Sequence, residues 1–68
     1  MTQENENRLR FIREALTRFE EPQRIEHTLG VYRECLWMSK IFGLSEEDAY
    51  TICAAALLHD IAKTLPLE

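Results

Sequence analysis

Histidine and aspartate are scarce in this chain: His27, His59, Asp48 and Asp60 are the only ones, and His59 and Asp60 are adjacent. The dipeptide alone is a weak signal, but its setting strengthens it. The pair ends an apolar run, Ala54-Ala55-Ala56-Leu57-Leu58, where an unpaired charge is costly, so buried ionisable groups there are usually paired or bound to metal. An imidazole nitrogen beside a carboxylate oxygen suits a divalent first-row metal such as iron, manganese or zinc. Such an ion acidifies bound water and withdraws charge from a phosphoryl oxygen. Lys63 follows His59 by four residues and shares its face if the helix continues that far; there it would neutralise a phosphate as a mobile point charge.

The same residues admit plainer roles. His59 is equally readable as a core histidine bonded to a carbonyl, Asp60 as the partner of a backbone amide, and Lys63 as a solvated residue near a helix C-terminus. His27, a lone histidine at the edge of an apolar arc, is more often structural. Arg24 is more often a side chain that snorkels from a helix start than a ligand-binding group.

Three helices are expected to carry these residues. The first runs from about Gln3 to Phe19 with Thr2 as its cap, and Leu9, Ile12, Leu16 and Phe19 form one apolar stripe. Pro22 opens the second, which continues to Phe42 and stops at Gly43. Ile25, Leu29, Val31, Tyr32, Cys35, Leu36, Met38 and Phe42 share one arc of it. Trp37 and Ile41 fall on the opposite side, where apolar bulk suggests a covering element. Ser45, with Asp48 three residues on, resembles the cap of a third helix. That helix is apolar nearly all round, as central helices are. Two neighbours cannot enclose it. A homodimer would cover it, as would further polypeptide after Glu68, which is the favoured account.

Composition bounds the function. With 46% hydrophobic and 29% charged residues in 68, the chain suits one small helical globule, not a disordered tail. A net charge of −4 and scattered Lys and Arg argue against a nucleic-acid polymer as partner. Cys35 and Cys53 lie inside hydrophobic stretches and read as core thiols. The opening MTQENENRLR is no signal peptide, and no run is long enough to span a membrane, so a cytoplasmic location is expected.

Arg24-Ile25-Glu26-His27-Thr28-Leu29-Gly30-Val31, followed by Leu57-Leu58-His59-Asp60-Ile61-Ala62-Lys63, resembles the HD-domain superfamily of metal-dependent phosphohydrolases. Both segments are similar to the bacterial HD-type symmetrical bis(nucleosyl)-tetraphosphatases, which split diadenosine tetraphosphate into two ADP. The likeness covers about residues 22 to 66. It implies an all-α bundle around a metal centre, often di-iron, with manganese or zinc as alternatives. His27, His59 and Asp60 match its metal ligands, and Lys63 matches a lysine near substrate phosphate, with a catalytic role. Arg24 is a further candidate for binding substrate. The resemblance implies a nucleotide or dinucleotide polyphosphate as substrate.

The family pattern also asks for a later aspartate, and this chain has no Asp after Asp60 and no His after His59. The expected organisation is an N-terminal amphipathic helix over 1–21 and a partial HD domain over 22–68, truncated at its C-terminus, with weak metal binding and little turnover. The alternatives are a non-catalytic helical interaction module derived from an HD domain, and an HD phosphohydrolase acting on another nucleotide.

Overall fold

Each helix begins and ends where the local chemistry dictates. α1 spans Gln3–Phe19, and the Thr2 hydroxyl accepts from the Asn5 amide at 3.2 Å, satisfying one of the free donors of the first turn. α2 spans Pro22–Ile41, with proline where the missing N–H costs nothing. After it, Gly43 adopts φ +62°, a left-handed conformation that side chains beyond glycine disfavour. The Gly43 amide donates to the Lys40 carbonyl at 3.3 Å and the Leu44 amide to the Ser39 carbonyl at 3.0 Å, which closes α2 in a Schellman turn. α3 spans Glu46–Thr64, and the Asp48 amide donates to the Ser45 hydroxyl at 3.1 Å. This computed structural model describes residues 1–64, the side chains of Lys63 and Thr64 excepted.

The fold is all-α, as expected, and α3 is its central element: it packs on both α2 and α1, which scarcely touch each other. Leu9 and Leu16 of α1, Tyr32 of α2, and Cys53, Ala54 and Leu57 of α3 make the core. Between α1 and α2, Arg13 bridges by donating to the Tyr32 hydroxyl at 2.7 Å with its guanidinium over the ring. Burial raises the Tyr32 phenol above its ordinary pKa despite that cation.

Two expectations need correction. Phe19 leaves the α1 stripe and is 72% exposed, because α1 ends there and the chain turns at Glu20, whose side chain is buried instead. Met38 and Phe42 leave the arc of α2 and are exposed. The α2 positions that are buried outright are Thr28, Tyr32 and Ser39, two of them small hydroxyl residues. α3 is central, and its two neighbours leave it open where Ala55 and Leu58 face outward. Trp37 and Ile41 are exposed too, with no covering element among the described residues. No helix among the described residues is long and apolar enough to cross a membrane.

Candidate metal centre

Thr28, near the start of α2, and Asp60, near the end of α3, meet across the helix pair. Both are buried, and the Thr28 hydroxyl donates to Asp60 Oδ2. A carboxylate taken out of water needs donors or a cation, and the Thr28 hydroxyl is one such donor. The other oxygen, Oδ1, faces His59.

His59 is held from its other side. Its Nδ1 lies 2.7 Å from the Ala56 carbonyl oxygen, one turn back along α3. A carbonyl only accepts, so Nδ1 carries a proton, and in the neutral ring the lone pair is then on Nε2. That nitrogen lies 3.1 Å from Asp60 Oδ1. Two lone pairs at this distance repel unless something positive lies against both, either a second ring proton or a cation. With bonds of about 2.1 Å, two ligands at right angles around a first-row ion stand about 3 Å apart. The spacing therefore fits two ligands of one ion. Donation of the second ring N–H to a backbone carbonyl is also the usual way a ligating histidine is oriented. The His59 side chain is 40% exposed while that of Asp60 is 10% exposed, so the pair opens to solvent on the imidazole side.

The remaining candidates are placed less closely. His27 is exposed, and among the described residues no three His, Cys, Asp or Glu side chains gather as a metal-holding group, so it does not join His59 and Asp60 in one. Arg24 is exposed, with its guanidinium 4.0 Å from the buried carboxylate of Glu20 one turn back. Lys63 belongs to the last turn of α3, which does continue past His59; its side chain lies outside the described residues.

Neither Thr28 nor the Ala56 carbonyl is among the candidates that residue type and spacing single out. Thr28 could have been found: it precedes Asp60 by 32 residues, the same interval that separates His27 from His59. The carbonyl had no signal of its own, because every helical residue has one.

A family model for the HD domain matches residues 24–68, more than half of the chain. No curated protein and no solved structure gives a match. The matched stretch contains both Thr28 and the His59–Asp60 pair, and the chain belongs to the HD domain family, a superfamily of metal-dependent phosphohydrolases.

Proposed function

We propose that this chain contributes the His59–Asp60 part of a divalent-metal centre that hydrolyses a phosphoanhydride in a nucleotide polyphosphate. The observation that carries the reading is His59 Nε2 lying 3.1 Å from Asp60 Oδ1, with Nδ1 2.7 Å from the Ala56 carbonyl oxygen. When bound, a divalent ion supplies an acidified water and neutralises charge on the phosphoryl group. His59 Nε2 and Asp60 Oδ1 hold it. Thr28 keeps the carboxylate turned toward the ring, and Ala56 keeps the imidazole in the ligating tautomer. His27 is the candidate for a further ligand. Arg24 and Lys63 are the cations available to substrate phosphates.

Iron is the favoured metal on the resemblance to the HD superfamily, with manganese and zinc as alternatives, since an imidazole–carboxylate set accepts all three. Diadenosine tetraphosphate is the favoured substrate; its support is the likeness of Arg24–Val31 and Leu57–Lys63 to the tetraphosphatase motifs. Equilibrium dialysis of the full chain against iron(II), manganese(II) and zinc(II) tests the centre. Binding that disappears in His59→Ala supports it, and equal uptake by both proteins, or none by either, sinks it. Diadenosine tetraphosphate turnover that resists chelators would sink the reaction. The exposed Trp37 and Ile41 favour one other reading, a helical interaction module, which a stable metal-free dimer in native mass spectrometry would support.

A further inference from the structure

The seam that joins Thr28 to Asp60 continues along both helices and brings the two cysteines opposite one another. On α2, the inward positions Thr28, Tyr32, Cys35 and Ser39 advance by four, three and four residues. On α3, the buried positions Ala49, Cys53, Ala56 and Asp60 advance by the same steps. This spacing keeps one face of a helix turned to its neighbour over several turns.

The helices run antiparallel across the turn at 42–45, and the Thr28–Asp60 hydrogen bond fixes their register. Moving toward the turn then pairs Tyr32 with Ala56, Cys35 with Cys53, and Ser39 with Ala49. Ser39 and Ala49 do line one cleft at the far end, as that register requires. Cys35 accordingly meets Cys53 seven residues, about 10.5 Å, from the Thr28–Asp60 contact. Side chains as small as Thr, Ser, Cys and Ala let helix axes approach toward the short end of the roughly 8–10 Å range. Cys35 packs directly on the core cluster that contains Cys53. The thiols also differ in access: Cys53 is fully buried and Cys35 is half-buried, and both are free.

We propose that Cys35 and Cys53 form a redox pair which a low-molecular-weight disulfide such as oxidised glutathione converts to an intramolecular disulfide, stapling α2 to α3 two turns from the His59–Asp60 centre. The half-buried Cys35 thiolate attacks one sulfur of the small disulfide and expels its other half as a thiolate, leaving a mixed disulfide. Cys53 then gives up its proton, attacks Cys35 Sγ and expels the second half. Two protein thiols lose two electrons and two protons, and the small disulfide gains them as two thiols. Burial and the neighbouring Cys35 raise the pKa of the Cys53 thiol, so the closing step is slow at neutral pH and quickens as pH rises.

The test is oxidation of the full chain with oxidised glutathione at about pH 8.5, a value near the ordinary thiol pKa. The expected product is a monomer lighter by two hydrogens, with one cross-linked peptide pair containing Cys35 and Cys53. Its Tm should rise by about 10 °C and return on reduction. Cys53→Ala should stop at a glutathione adduct on Cys35. Persistence of two alkylatable thiols in the wild type, a wild-type adduct that never closes, or a cross-link between two copies would each overturn the proposal.

Discussion

Two carboxylates stand at opposite ends of α3, and they do different work. Glu46, in its first turn, accepts from the Thr2 amide at 2.9 Å, the Thr2 hydroxyl at 3.3 Å and the Asn5 side-chain amide at 2.7 Å, and lies 3.7 Å from the N-terminal ammonium. It is surrounded by donors at the surface and also sits at the favourable end of the helix dipole. Asp60, in the penultimate turn, is buried, at the unfavourable end of the same dipole. One of its oxygens takes a hydroxyl and the other lies 3.1 Å from the imidazole Nε2. Glu46 is therefore a clip whose needs are met by the chain. Asp60 stands buried beside an imidazole nitrogen, at the spacing of two ligands of one ion. The lesson is that burial and the character of the partners, more than the presence of a carboxylate, separate a site from a fastening.

Asp60→Asn should break this comparison most severely. The amide still accepts from Thr28, so circular dichroism should show the helices intact, but the negative charge of the proposed ligand is gone. Metal affinity in equilibrium dialysis should fall by more than about 100-fold, beyond the 10- to 100-fold typical of groups that only orient a ligand. Undiminished binding would move the centre away from Asp60. Next in size is Thr28→Val, which keeps the shape and removes the hydroxyl. Loss of a buried donor should cost about 1–3 kcal/mol in urea unfolding, and metal affinity should drop by about 10- to 100-fold. Thr28→Ser should recover most of both. A valine variant as stable and as metal-competent as the parent would show that Asp60 does not depend on Thr28.

Much of this was legible before the fold was known. The caps at Thr2 and Ser45, Pro22 at the head of α2 and Gly43 at its end each act through local backbone chemistry, which a short window of sequence contains. The His59–Asp60 pair was legible because it interrupts an apolar run. What the wheel of α2 hid was that Thr28 and Ser39, two hydroxyl residues, are more buried than Met38 or Phe42. Hydrophobicity ranks side chains by transfer from water, whereas a close helix–helix seam selects by size. Phe19 misled for a related reason: periodicity continues to the last residue of a helix, but the neighbour it would pack on need not. Whether His59 faced a carbonyl or a carboxylate could not be read from spacing, and it proved to face both.

The smallest expected effect lies at the other end of α3. Hydrogen bonds from Thr2 and Asn5, with a contribution from the N-terminal ammonium, hold the Glu46 carboxyl below its ordinary pKa of 4.5. A carboxyl whose pKa is lower folded than unfolded stabilises the fold above the unfolded value and ceases to do so as pH falls through the folded one. Glu46→Gln keeps an acceptor but has no charge to lose. Wild type should thus have a slightly higher Tm than the variant at neutral pH, and the gap should close as pH is lowered beneath 4.5. Because Glu46 is solvent-screened, the gap should also shrink with added salt. A difference that ignores both pH and salt would make Glu46 a packing residue, and the contrast between a solvated clip and a buried ligand would have to rest on Asp60 alone.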